Sequence, residues 1–334
     1  MLTYPVLFVI IGCMVTKYKI TKKLVPLLFG AALFLSACGV DREAQLAKRD
    51  EGLSAMASAD YKKALGCFDE ALAMAQARVT DYEVNISYYK AAAQFLSGDR
   101  DGALITYTNL IEFDKDNASN YFLRGSVYLD CGEKKKGLKD YRRAVGIKRD
   151  DYELYLEIYN NLLAYGLDGN AAEFLNMALE IEGDSPEYYM YRGRIYMLLT
   201  QYEVARITLQ KAVDRGSDEA KVYLAQVYDL QGDKETAKKL IDEYVAVPDL
   251  SAQALVEVGN LLIAQGEYDQ ALAIFRQGIE MNDADAMRGL LKGEVAALEF
   301  TGDFASAKAK AKEYMESFPA DAQMQREMVF LNSR

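Results

Sequence analysis

The sequence predicts an all-α array of stacked helix–turn–helix repeats, and three observations carry that prediction. Small residues recur at Ala64, Ala103, Gly137, Ala171, Ala205, Ala237, Ala271 and Ala307, in steps of 39, 34, 34, 34, 32, 34 and 36 residues. A period of about 34 is that of repeated helical hairpins. A large residue follows four positions later, at Phe68, Tyr107, Tyr141, Leu175, Leu209, Ile241 and Phe275. That spacing keeps each pair on one helical face. Gly98, Gly132, Gly166, Gly232, Gly266 and Gly302 fall midway through their repeats, where a left-handed residue ends the first helix. Scarce proline, 5 residues in 334, with abundant Ala, Leu, Glu and Lys, agrees with helix throughout.

The chain opens on a leader, residues 1–37. Lys17, Lys19, Lys22 and Lys23 form a basic region and Leu24–Leu35 an apolar one. Those 12 apolar residues fall short of the roughly 20 needed to span a bilayer. Leu35-Ser36-Ala37-Cys38 resembles the lipobox of bacterial lipoproteins. The resemblance implies cleavage before Cys38, a diacylglycerol on its thiol, and anchorage on the extracytoplasmic face of a bacterial cell membrane. Residues 1–13 are apolar and precede the basic region, the wrong order for a leader, so translation is expected to start at Met14. Residues 38–44 form the lipidated cysteine and a short linker. At roughly 3.5 Å per extended residue, this linker holds the array close to the membrane.

Residues 45–321 are the repeat array. The third repeat, 118–151, has Tyr121, Gly125, Tyr128, Gly132, Gly137, Tyr141 and Ala144. The fifth, 186–217, has Tyr189, Gly193, Tyr196, Ala205, Leu209 and Ala212. The seventh, 252–285, has Gly259, Gly266, Tyr268, Ala271 and Phe275. This pattern resembles the tetratricopeptide repeat. The resemblance implies a right-handed superhelical solenoid of about eight such units plus a C-terminal capping helix over 322–334, where Met324, Met328 and Leu331 share a face. Small residues at Gly52, Ala91, Gly125, Gly193, Ala225 and Gly259 let the two helices of a repeat approach closely. Tyr159 and Val295 stand where the fourth and eighth repeats should be small. Five extra residues within 76–85 separate the first repeat from the second.

Composition excludes several functions. Net charge is −11, and loss of the four leader lysines leaves 35 basic against 50 acidic residues, a net −15. An acidic body repels phosphate backbones, so no nucleic acid partner is expected. The chain has no His, which removes the commonest general base and zinc ligand. No P-loop, CxxC or dinucleotide fingerprint is present. No enzyme activity, cofactor or metal is expected, and Asp150-Asp151, Asp283 and Asp285 read as helix caps. Cys67 and Cys131 lie in different repeats, too far apart for a disulfide, and read as buried free thiols.

What remains is a concave surface. In the family, first helices line a groove that takes extended or helical peptides. Its lining offsets, carried over, fall on Tyr88, Phe95, Phe122, Leu129, Leu156, Asn160, Leu163, Met190, Arg194, Met197 and Gln226. These residues either line a groove or belong to the core between repeats. Asn160 and Asn260 match a carboxylate-clamp offset, but the partnering lysine offsets hold Leu156 and Val256, so no clamp is expected. Two functions follow. The first is a lipid-anchored scaffold that binds an unknown protein or peptide partner in the groove. The alternative is an envelope receptor for a cell-wall glycan or small molecule, with tyrosines stacking on the ligand.

Overall fold

The computed structural model describes residues 41–75, 79–319 and 321–334. The leader, the Met14 start and Cys38 lie outside the described residues. Within them are seventeen helices and no strand. None is long and apolar enough to cross a membrane. The chain divides into two compact units at Ala171/Ala172.

The N-terminal unit holds α1 (Arg42–Ala57), α2 (Tyr61–Ala73), α3 (Asp81–Ser97), α4 (Arg100–Phe113), α5 (Ala118–Asp130), α6 (Lys134–Ile147) and α7 (Tyr152–Ala164). Each packs on the next, and α1 also touches α3. Helix α8 (Asp168–Ala178) runs across the division. The C-terminal unit continues with α9 (Pro186–Leu198), α10 (Tyr202–Asp214), α11 (Ala220–Leu230), α12 (Lys234–Val245), α13 (Ala252–Gln265), α14 (Tyr268–Glu280), α15 (Met287–Thr301), α16 (Phe304–Ser317) and α17 (Ala322–Asn332). Here α9, α11, α13 and α15 pair with α10, α12, α14 and α16, and these four first helices touch in succession. Helix α17 packs on α16. The extra residues after the first repeat fall in the α2–α3 connection, where 76–78 lie outside the described residues.

The packing follows the small-and-large pattern. Ala64, Ala103, Ala171, Ala205, Ala237, Ala271 and Ala307 are all buried, as are the seven large residues four positions on. A methyl group added at Gly52, Gly125, Gly193 or Gly259 would lie within 2.4–2.7 Å of Phe68, Tyr141, Leu209 or Phe275. The large residues also reach forward. Gly293 of the eighth repeat approaches the same Cε1–Cζ edge of Phe275 that Gly259 does, and Tyr141 donates to Asn161 Oδ1 at 2.6 Å. Gly293 thus admits Phe275, while Val295, two residues on, is buried beside Ala311 and Tyr314. Tyr159 is half-buried.

One turn closes all eight hairpins. In each, the residue starting the turn's exit donates its backbone N–H to the carbonyl five residues back, from Asp60 to Ala55 in the first and from Asp303 to Leu298 in the last, both at 2.9 Å. This bond requires a left-handed residue just before the donor. The six predicted glycines have φ between 66° and 92°. Ala59 and Thr200 occupy the same position in the first and fifth repeats, with φ of 57° and 60°. Asp follows directly in four hairpins, at Asp60, Asp99, Asp233 and Asp303, and its side chain caps the second helix.

A left-handed conformation costs a non-glycine residue about 1–2 kcal/mol, and most for a β-branched one. Thr200 is exposed, so Thr200→Gly is expected to stabilise the C-terminal unit by about 1 kcal/mol. Urea denaturation followed by circular dichroism reads this directly; a lower midpoint would show that the turn is not strained.

Cys67 is buried and Cys131 exposed, and both are free thiols. The exposure of Cys131 corrects the expectation of burial. It caps the C-terminus of α5, beyond the last helical residue. Burial raises the pKa of the Cys67 thiol.

Candidate functional site

The groove candidates divide sharply by exposure. In the N-terminal unit, Tyr88, Phe95, Phe122, Leu129 and Leu156 are between 2% and 9% exposed. The Tyr88 hydroxyl donates to Asn120 Oδ1 on α5, and Asn120 Nδ2 donates to the Leu110 carbonyl at 3.0 Å. That chain ties α3 to α5 and α4. Phe122 stacks on Tyr141 with ring centroids 5.5 Å apart. Phe95 lies under the Arg100 guanidinium at 5.4 Å. Asn160 and Leu163 on α7 are exposed.

In the C-terminal unit, Met190 is 2% exposed and packs with Ala205, Leu209 and Tyr223. Arg194, Met197 and Gln226 are half-buried. The Arg194 guanidinium lies 5.0 Å from the centroid of the Tyr223 ring, from α9 to α11. The parts of the predicted lining that solvent reaches are therefore Asn160 and Leu163 on α7, and Arg194, Met197 and Gln226 on α9 and α11. The other six are buried core residues.

A second constellation went unassigned in the sequence. Tyr121, Arg124 and Tyr128 on α5 recur as Tyr189, Arg192 and Tyr196 on α9, in the same spacing. Arg124 lies 5.9 and 5.7 Å from the rings of Tyr121 and Tyr128, and its fork meets Asp140 at 2.7 and 2.9 Å. That pairing raises the Arg124 pKa. Arg192 lies 5.8 Å from Tyr196 and 5.1 Å from Tyr188. On α10, Lys211 and Arg215 stand 3.9 and 4.8 Å from Tyr189. The Tyr189 hydroxyl donates to Asp184 at 2.6 Å and accepts from Lys211 at 2.6 Å. These sets lock first helices onto second helices, with their hydrogen-bonding groups used within the protein. The repeated Tyr-x-x-Arg-x-x-x-Tyr spacing was the signal that could have found them.

Among the described residues no group of acidic or cysteine side chains is placed to hold a metal. Asp283 accepts from the backbone of Asp285 and Ala286 at 2.9 and 3.0 Å, and Asp151 caps α7.

Comparison with known proteins bears on the repeats themselves. Family models described as tetratricopeptide repeat match residues 118–151 and 223–286. Among solved structures, the chain is similar to a tetratricopeptide repeat protein from Parabacteroides merdae ATCC 43184. The identity is 17% and the TM-score 0.42, over 77% of this chain and 99% of that one. It is also similar to the APC/C hetero-tetramer Cut9–Hcn1, at 14% identity and TM-score 0.38 over 86% of this chain and 55% of that one. The MamA protein aligns at 18% identity and TM-score 0.32, over 50% of this chain and 92% of that one. No curated protein matches. Tetratricopeptide repeats are thus recognised in each of the two compact units, at 118–151 in the first and 223–286 in the second.

Proposed function

We propose that the chain is a non-enzymatic protein-interaction scaffold, lipid-anchored through Cys38 on the extracytoplasmic face of a bacterial cell membrane. The recognised tetratricopeptide repeats carry the scaffold reading. Repeats of this kind present first helices side by side, and a partner segment in extended or helical form lies across them. The solvent-reachable residues define the contacts. Arg194 contributes a half-buried cation, Met197 a flexible apolar surface, and Gln226 a polar side chain one helix further on. Asn160 and Leu163 make the corresponding offer on α7. The anchor rests on the Leu35-Ser36-Ala37-Cys38 motif behind a short apolar run.

In-cell crosslinking of the anchored protein, followed by purification and mass spectrometry, tests the scaffold. One partner is expected to dominate and to fall at least tenfold in an Arg194→Glu, Met197→Glu protein that melts normally. Undiminished capture by that variant refutes the contact assignment. The anchor is tested separately. Cys38→Ser should release the protein from the membrane fraction, and its retention there would overturn lipidation.

A further inference from the structure

Helix α6 breaks the charge pattern of the chain. Its sequence, KKKGLKDYRRAVGI, holds six basic residues and one acid. That net +5 stands in a chain that carries −15 from Cys38 on, and no other helix of the described residues exceeds +1. Leu138, Tyr141, Ala144 and Val145 are buried on the side that packs against α5. The single acid, Asp140, is also buried and is taken by Arg124. Lys134, Lys135, Lys136, Lys139, Arg142 and Arg143 are all exposed. Lys136 and Arg143 meet Glu133 and Asp116 at 3.1 and 3.7 Å. Among the described residues Lys134, Lys135 and Lys139 are in no ion pair. Helix stability does not explain this composition. The N-terminus of a helix carries a partial positive charge, which favours acids and disfavours cations. The first turns of α4, α10, α12 and α14 each hold an acid, Asp101, Glu203, Glu235 and Asp269. The first turn of α6 holds Lys134, Lys135 and Lys136 and no acid. Lys139 stands one turn from both Lys135 and Arg143, a spacing at which like charges repel. A departure from local rules of this kind marks a functional surface.

We infer that the exposed face of α6 docks on the anionic phospholipid headgroups of the membrane that holds the chain. The inference rests on the lipid-anchor reading for the presence of that membrane. Helix α1 begins at Arg42, four residues after Cys38, and α6 lies in the same compact unit. So short a tether keeps that unit near the bilayer. Four to eight clustered basic residues suit an anionic lipid surface, each adding about fivefold to binding. A protein partner fits less well, because lysine is depleted in protein interfaces and aromatic anchors dominate them. No large hydrophobic residue of α6 is exposed. The acidity of the rest of the chain does not cancel the patch, since exposed charges beyond about 8 Å are largely screened at physiological ionic strength.

Cosedimentation of the full-chain Cys38→Ser protein with vesicles tests this with no lipid on the protein, so failure here is separable from failure of the anchor. Phosphatidylcholine vesicles containing about one-third phosphatidylglycerol should bind it roughly tenfold more tightly than phosphatidylcholine alone, and about 0.5 M salt should remove the difference. Lys134→Gln, Lys135→Gln and Lys139→Gln together should weaken binding to the anionic vesicles roughly twentyfold. The same change of charge elsewhere, Lys238→Gln, Lys308→Gln and Lys312→Gln, all at exposed positions, should weaken it less than about threefold. The leader lysines are common to all three proteins and cancel. The α6 variant should melt at or above the temperature of its parent, because it relieves the helix terminus. No preference for anionic vesicles, or equal loss in the two triple variants, overturns the proposal. So does a lower melting temperature of the α6 variant, which would give its lysines a structural role. Binding through α6 that is tighter, charge for charge, to polyglutamate or duplex DNA than to the vesicles also overturns it, and assigns the face to an acidic protein or a nucleic acid.

Discussion

Phe122→Glu is expected to unfold the N-terminal unit. Phe122 is 2% exposed and stacks on Tyr141, which is itself buried and hydrogen-bonded to Ser126 and Asn161. Removing a buried aromatic ring costs about 3–5 kcal/mol. The introduced carboxylate would have no cation within the stack and would add a desolvation penalty of several kcal/mol. A single domain has only about 5–15 kcal/mol in total. Leu163→Glu is the control, because Leu163 is 37% exposed and surface changes stay within about 0.5 kcal/mol. Urea unfolding of the two proteins, with amide exchange across α5 and α7, separates the cases. Equal stability would mean that Phe122 faces solvent and lines a groove after all.

That contrast shows where the sequence speaks and where it is silent. The alanine period, the large residues four places on and the six turn glycines each have one local physical cause, and each is met in the structure. A helix face carries an apolar stripe whether it is covered by another helix or by a ligand. Tyr88, Phe95, Phe122, Leu129, Leu156 and Met190 satisfy both readings, and only the position of neighbouring helices distinguishes them. The left-handed turns at Ala59 and Thr200 were hidden for a related reason. The backbone bond closing the hairpin sets φ there, and residue type only modulates the cost.

Asp321→Ala is expected to release the last helix, and the pH response of that helix should have a second, independent source. Asp321 is fully buried and caps α17, accepting from the backbone of Gln323 and Met324 at 3.0 and 3.1 Å. Its other oxygen meets Arg288 and Lys292 at 2.8 Å and the Tyr314 hydroxyl at 2.5 Å. Burial alone would raise its pKa, but these donors outweigh burial and hold the carboxyl well below the usual carboxylate range. Breaking a buried charge network by removing one member costs about 3–5 kcal/mol, here concentrated on the end repeat, because a repeat array loses stability locally. Amide exchange should therefore show α17 unprotected while α9–α12 are unchanged. Retained protection at Met324 and Leu331, which sit in the terminal core, would refute the anchor. Glu299 on α15 works in the opposite direction. Burial, and then the neighbouring Glu327 of α17, push its pKa from 4.5 to about 7, and its Oε1 is buried without a partner. A carboxyl with a raised folded pKa contributes stability below the unfolded value and loses it as pH rises through the folded one. The terminal repeat should thus weaken between pH 4.5 and about 7, by about 1–2 kcal/mol after allowance for solvent screening. Asp321 stays ionised across that window, since its loss of stability comes only in stronger acid. Glu299→Gln should abolish the pH dependence and leave α17 docked at pH 8, whereas Asp321→Ala should leave it undocked at every pH. If the Glu299→Gln protein still loosens as pH rises, the two facing carboxyls are not its cause.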